Sequence, residues 1–491
     1  MMRTISLSVL MVTLLGVGTI QSQVFIDQTD LSGMANAGLY STDCSWGDYD
    51  NDGWLDLYVT NWGTATSVPI NALYHNEGAS SFVDVALAAG VDVLGNSSAS
   101  AFADYDNDGF LDLYVADFFD QDRLFNSNGD GTFTEVGRSG GLIDLQRQGS
   151  VVSIAWGDYD NDGYLDVYLG KYYFANDFYA NLGDGTFRQI RDLGLGDARD
   201  AKDVSWCDYD NDGDLDLYIV NRDQENRLYR NDLSESSSFV ELGASLGVAN
   251  DEIGQGAAWG DYDGDGDSDL YVANVGANAL YRNENGAAFV DVAVSAGIRV
   301  DEVGWFSAGA VWSDLDGDGN LDLYVASGAD RQPQTDLVYL ANGDGSFRNS
   351  TAEAGALPPQ VVSFRSAVAV GDYDGNGSPD IYATDGMNYQ ELGNSLFQNQ
   401  TEEDRFIKII VKGKGGGQGG TNVDGIGARV LLYDNEGAIA GTRNVVSPNG
   451  VIFGVEPGQL YRIEVTFPVS GIVAERSDVV GGTDTIRIVE P

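Results

Sequence analysis

The chain has 491 residues, with 76 Asp plus Glu against 26 Lys plus Arg and a formal charge of −50. Nucleic acid and anionic membrane would both repel such a chain, so neither is expected as a partner. A hydrophobic content of 43%, with 64 Gly and only 9 Pro, is enough for a sizeable core and reads as an all-β chain with many tight turns.

Taken in chain order, residues 1–22 read as a secretory signal. Arg3 is the basic flank, Ile5 to Ile20 form the apolar stretch, and a cut is expected near Ser22. That stretch is short for a membrane span. No later segment is apolar enough to span, so an exported chain with no transmembrane anchor after signal removal is expected. Next comes Phe25-Ile26-Asp27-Gln28-Thr29, a phrase whose relatives appear only later in the chain.

From residue 48 the chain repeats. Asp-Tyr-Asp-Asn-Asp-Gly-Trp-Leu-Asp at 48–56 has further copies beginning at Asp104, Asp158, Asp208, Asp261, Asp314 and Asp372, at steps of 56, 54, 50, 53, 53 and 58 residues. Each unit holds four β phrases. In the first they are Thr42 to Gly47, Leu55 to Val59, Ala72 to His75 and Phe82 to Val85. Turns such as Asn128-Gly129-Asp130-Gly131 join the third phrase to the fourth and are hairpin signals. Four strands in about 54 residues fit a β-propeller blade. The fourth phrase begins at Phe82, Phe133, Phe187, Phe239, Phe289 and Phe347, and the seventh unit lacks it after Asn399. The phrase at Phe25 is therefore predicted to supply the outer strand of the last blade. That would close a seven-bladed ring and remove open edges.

The loop pattern is D-x-D-x-[DN]-G-x-x-D, with glycine sixth in every copy. That glycine permits the turn that folds three side chains around one ion. The first, third, fifth and ninth positions are predicted to give carboxylate oxygens and the seventh a backbone carbonyl. The donor sets in chain order are Asp48, Asp50, Asp52, Trp54 and Asp56; Asp104, Asp106, Asp108, Phe110 and Asp112; Asp158, Asp160, Asp162, Tyr164 and Asp166; Asp208, Asp210, Asp212, Asp214 and Asp216; Asp261, Asp263, Asp265, Asp267 and Asp269; Asp314, Asp316, Asp318, Asn320 and Asp322; and Asp372, Asp374, Asn376, Ser378 and Asp380. Hard oxygen donors select Ca²⁺ over Zn²⁺. Up to seven structural Ca²⁺ ions are expected, which would bring the net charge to about −36. Val59 at position 12 and the flanking strands set these loops apart from EF-hands. Asn376 removes one charge from the last loop, which should weaken it.

Cys44 and Cys207 precede loops three repeats apart. On a ring they fall in different sectors, beyond disulfide reach, and are expected as buried free thiols. The single histidine, His75, is expected at a solvent edge. No catalytic constellation, zinc cluster or phosphate loop stands out, and the chain is not read as an enzyme.

The phrases Asp-Tyr-Asp-x-Asp-Gly-x-x-Asp-Leu-Tyr-Val, Asn-x-Leu-Tyr-x-Asn and Gly-Asp-Gly-Thr-Phe resemble FG-GAP/VCBS repeats over about residues 25–400. Such repeats build the calcium-bearing propellers of integrin α-like proteins. After Arg405 the chain changes to short alternating strands, a Gly-rich run at 413–420 and Gly425-Ile426-Gly427-Ala428-Arg429. This tail resembles the ASPIC/UnbV domain that follows such propellers in cartilage-acidic-protein-like exported proteins, with Phe467 where a tryptophan is usual. The pattern predicts a small β-sandwich. The expected division is 1–22 signal, 23–403 propeller and 404–491 ASPIC/UnbV-like domain.

Strand direction puts the aspartate loops at one end of the blades. Trp62, Phe118, Phe119, Tyr172, Tyr173, Arg222, Trp305, Phe306, Arg365 and Tyr389 fall at the other end. Aromatic and Arg groups there suit a protein or glycan ligand. A secreted calcium-binding scaffold for recognition or adhesion is expected. A lectin-like module, or a polysaccharide hydrolase or lyase, are the alternatives.

Overall fold

The computed structural model describes residues 24–36, 39–63, 69–78, 81–142, 150–300, 305–328, 334–355, 365–386, 393–482 and 485–491. The proposed signal and Tyr389 lie outside these residues. Among the described residues, seven antiparallel sheets of four strands follow one another, and each is called a blade below. The first comprises Tyr40–Gly47, Asp56–Trp62, Ala72–Asn76 and Phe82–Asp84. Its innermost strand packs on that of the second blade, Ser97–Ala103, and also on that of the last, Arg365–Gly371, so the sheets close into a propeller. In the last blade Phe25–Asp27 is the outer strand, with Phe25 opposite Asn399 and Asp27 opposite Phe397. Leu57, Tyr58 and Val59 are all fully buried. A blade covered on both faces needs this continuous apolar second strand rather than an alternating one.

The Asn-x-Leu-Tyr-x-Asn phrase ties three strands together. Its first residue accepts the backbone N–H that ends the second strand, as in Asn61 N–H to Asn71 Oδ1 at 2.9 Å and Asn221 N–H to Asn226 Oδ1 at 2.8 Å. Its Nδ2 donates to the hydroxyl of the second-strand tyrosine, as from Asn71 to Tyr58 and from Asn394 to Tyr382. Its last asparagine bonds to the preceding blade: Nδ2 of Asn76, Asn181, Asn231 and Asn283 donates to the carbonyl oxygen of Tyr373, Tyr105, Tyr159 and Tyr209. Tryptophans stack across the same joints. Trp46 lies at 6.2 Å and 6° from Tyr373, and Trp312 at 6.1 Å and 14° from Tyr262.

In two blades aspartate replaces the first asparagine, and the tyrosine hydroxyl then donates instead, from Tyr114 to Asp122 and from Tyr324 to Asp336. A buried carboxylate needs a cation. Arg365 supplies it for Asp336, with Nε 3.0 Å from Oδ2, NH1 bonded to the Ala383 carbonyl and NH2 to Ser395 Oγ. The sequence reading placed Arg365 on the ligand-facing mouth; the structure corrects this, because only 3% of the residue is exposed.

Residues beyond the ring form two more sheets. One orders Val451–Gly454, Phe406–Lys412 and Ile486–Val489, and the other Ile439–Asn444, Arg429–Tyr433, Leu460–Thr466 and Val473–Val480. Ile407, Ile409, Val430, Ile463, Val465 and Phe467 fill the space between them. This unit sits on the aspartate-loop end of the ring. Together they enclose a cavity of about 560 Å³ along the ring axis, lined by small innermost-strand residues such as Ala101, Ala258 and Ala310 and closed by residues 445–450. Cys44 and Cys207 are free, buried, and both line this cavity. Among the described residues no helix is long and apolar enough to cross a membrane.

Replacing Arg365 by Met leaves Asp336 buried without its cation and should cost about 3–5 kcal/mol. Arg365→Met combined with Asp336→Asn restores the asparagine found in five of the blades and should recover most of the loss. Denaturant titration of both variants checks this, and equal destabilisation of the two contradicts it.

Candidate metal centres

Each aspartate loop is shaped by its own backbone. In the first six loops the sixth-position glycine N–H donates to the first aspartate, as from Gly53 to Asp48 at 3.0 Å and from Gly109 to Asp104 at 2.8 Å. The seventh-position N–H donates to the fifth side chain in all seven, from Trp54 to Asp52 through Ser378 to Asn376. Two positions have a left-handed backbone: the sixth, as at Gly53 with φ 96°, and the fourth, as at Asn51 with φ 60° or Gly317 with φ 71°. The fourth position is Asn or Gly in every copy, a signal the sequence reading passed over. Where it is Asn, the side chain reaches the next loop, as from Asn51 to the Gly109 carbonyl and from Asn107 to the Gly163 carbonyl at 3.0 Å each.

The ninth aspartate faces the blade interior. Asp56 Oδ2 accepts from Tyr49 N–H at 3.3 Å and Oδ1 from Asn76 N–H at 2.8 Å. The same pair of bonds recurs at Asp166 and Asp216. His75, expected at a solvent edge, is half-buried instead, with Nδ1 3.1 Å from Asp56 Oδ1 and 3.5 Å from Asp50 Oδ2.

The opposite end of the ring carries a continuous aromatic ridge. Trp62 lies 4.9 Å from Phe118 and 5.5 Å from Phe119, Phe118 lies 6.0 Å from Tyr172, and Tyr172 lies 4.1 Å from Tyr173. Arg222 and Lys202 both stand over the Tyr172 ring. Phe119 and Tyr173 are 67% and 64% exposed. Tyr173 has a left-handed backbone, φ 73°, and its N–H bonds Asp200 Oδ1 at 2.8 Å. Trp305 is partly buried and packs against the core cluster that includes Leu323 and Tyr339.

The sequence reading missed how the C-terminal unit meets the loops. Asp104 N–H donates to Asp424 Oδ2 at 2.8 Å, Val423 N–H to Asn107 Oδ1 at 2.8 Å, and Gly416 N–H to the Gly163 carbonyl at 3.0 Å. Arg429 reaches the Gly266 carbonyl, and Lys408 Nζ lies 3.1 Å from Asp372 Oδ2. Glycine at 416 is required, because a Cβ there would meet the Tyr164 ring at 2.6 Å. The available signal was charge: residues 404–491 hold nine of the 26 Lys and Arg against ten Asp and Glu, in a chain of net −50.

The donor chemistry fits a hard divalent cation. In Asp48/Asp50/Asp56, Asp158/Asp160/Asp166 and Asp208/Asp210/Asp216, one oxygen from each residue lies within 4.8 Å of the others. Among the described residues, Asp48, Asp210, Asp261, Asp316 and Asp372 each hold a buried Oδ1 with no hydrogen-bond partner, and a neighbouring positive charge is what such oxygens lack. With no ion bound, burial pushes Asp56, Asp104 and Asp158 up to about 8 and Asp269 to about 9, and neighbouring carboxylates add to the shift. The raised values mean that the ion-free fold holds protons that the unfolded chain releases. This contribution to stability is complete below the ordinary carboxylate range and is lost as pH rises through 8 to 9. The gap in melting temperature between divalent-loaded and chelated protein is therefore expected to be small near pH ~5 and to widen towards pH ~8. A constant or narrowing gap contradicts this.

Comparison with known proteins agrees with the repeat. A model of the FG-GAP-like repeat matches residues 48–115, 104–169, 173–219, 208–272, 261–325 and 314–383. Cartilage acidic protein 1 of Xenopus tropicalis is 25% identical over 381 residues, covering 69% of this chain and 56% of that protein. The Mus musculus protein of the same name is 26% identical over 219 residues, covering 43% of this chain and 33% of that one. The chain thus spans about half or less of the length of the curated relatives it matches. Among solved structures, the BP39L lectin from Burkholderia pseudomallei superposes with a TM-score of 0.50 at 10% identity, over 74% of this chain and 97% of that one, a likeness of fold. With matches across most of its length, the chain belongs to the FG-GAP-like repeat family.

Proposed function

We propose that this protein is an exported recognition scaffold whose propeller is stabilised by Ca²⁺ in its aspartate loops and which binds a protein partner through the aromatic ridge at the opposite end. The ridge is the observation that carries the reading. Two of its rings are exposed yet held: Phe119 N–H is fixed by Asp117 Oδ1 at 2.8 Å, and Tyr173 keeps a backbone that L-residues rarely adopt. Strain of this kind persists where a ring has to be presented. Rigid aromatic anchors supply most of the energy at protein interfaces. The loop end cannot serve equally well, because the C-terminal unit, read here as ASPIC/UnbV-like, covers much of it.

Calcium is supported over zinc by the donors, which are carboxylates and, through the seventh position, carbonyl oxygens. The cofactor's part is charge compensation. The chain's own residues fix the loop and bring the oxygens together.

Two measurements test the reading. Chelation should lower the melting temperature by many degrees, and Ca²⁺ should restore it better than Mg²⁺; an unchanged melt removes the calcium part. Phe119→Ala combined with Tyr173→Ala should leave the melting temperature unchanged and weaken capture of the partner from cell-surface extracts about tenfold or more. Undiminished capture by the double variant removes the ridge, and binding to a glycan array that the variant loses would assign the ridge to a glycan instead.

A further inference from the structure

We infer that the seventh loop takes no divalent ion, because Lys408 of the C-terminal unit is its resident cation. The inference rests on the calcium reading of the other six loops.

Loop 7 keeps the buried, unpartnered Oδ1 of its first aspartate and the two backbone bonds to Asp380, but departs from the other loops at its first and fifth positions. Asn376 stands at the fifth position, so the loop has three carboxylates, Asp372, Asp374 and Asp380. Lys408, on the strand Phe406–Lys412, places Nζ 3.1 Å from Asp372 Oδ2, with the two side chains only 14% and 2% exposed. In the first six loops that same aspartate oxygen takes the glycine N–H instead. Among the described residues this is the only ion pair made to a first-position aspartate. Asp374 Oδ2 accepts from Gln398 Nε2 and from Asn376 Nδ2. Asn376 Oδ1 accepts from both Ser378 N–H and Ser378 Oγ.

The charge balance follows. Loop 1 presents four carboxylates, whereas loop 7 with Lys408 presents three and an ammonium, a formal −2 against −4. An ammonium on the first aspartate repels an incoming divalent cation. Loop 6 also has a cation nearby, but differently placed. There Arg348 lies 3.8 Å from Asp316, but all four carboxylates remain and the pair is at the third position. Loop 7 is therefore a fixed joint between ring and C-terminal unit, whose charge is compensated from within the chain.

Native mass spectrometry of the full secreted chain, counting tightly bound Ca²⁺, tests this. Asp50→Ala in loop 1 should lower the count by one, while Asp374→Ala in loop 7 should leave it unchanged. Lys408→Met combined with Asn376→Asp restores the loop pattern and should raise the count by one. Loss of an ion on Asp374→Ala, or no gain in a double variant that melts cooperatively, overturns the inference. A wild-type chain that retains no Ca²⁺ at all overturns the calcium reading beneath it, which is a separable result.

Discussion

Everything in the ring depends on burying a carboxylate at the ninth position of each loop. A buried anion without partners is costly. The fold meets that cost with two backbone N–H groups, one from the loop and one from the end of the third strand, as at Asp56 with Tyr49 and Asn76. Those two bonds fix where the third strand ends and how the loop folds back. The asparagine that donates its backbone to this carboxylate also reaches the preceding blade through its side chain. One buried charge thus sets the loop, the strand order and the blade joint together, and the remaining unpaired oxygens define where a cation belongs.

The propeller was legible because its signals are local and repeated. Loop spacing, the Asp-Leu-Tyr-Val strand and the hairpin turns each lie within a few residues. What stayed hidden depends on partners distant in sequence. Arg365 looked like a ligand-facing cation because only the fold brings it to Asp336. His75 looked peripheral because only strand pairing brings it to Asp56, at the head of the neighbouring strand. Trp305 could not be told from a surface aromatic, since a side chain packed between blades leaves no periodic mark. The use of the Gly-rich run as a thin tongue against Tyr164 and Gly163 appears only when the two units are seen together.

The C-terminal unit changes how the acidity of this chain should be read. Residues 404–491 are nearly neutral, so almost all the negative charge belongs to the ring. That unit meets the ring at the aspartate loops, through backbone N–H groups at loops 2 and 3 and through Lys408 at loop 7. The contacts at loops 2 and 3 involve loop positions one, four and six, the positions whose geometry an ion would fix. Loop order and docking are therefore linked by ordinary thermodynamic reciprocity.

The outer strand of the last blade has a consequence for biosynthesis. Gln28 bonds Gln398 across 370 positions of sequence, so the last blade cannot be completed until nearly the whole propeller has left the ribosome. Until then the first segment has no partner and the last blade presents a raw edge. The entropic cost of that long closure grows only slowly with length, but the waiting time does not disappear. A three-residue strand thus serves as a completion check on the last blade.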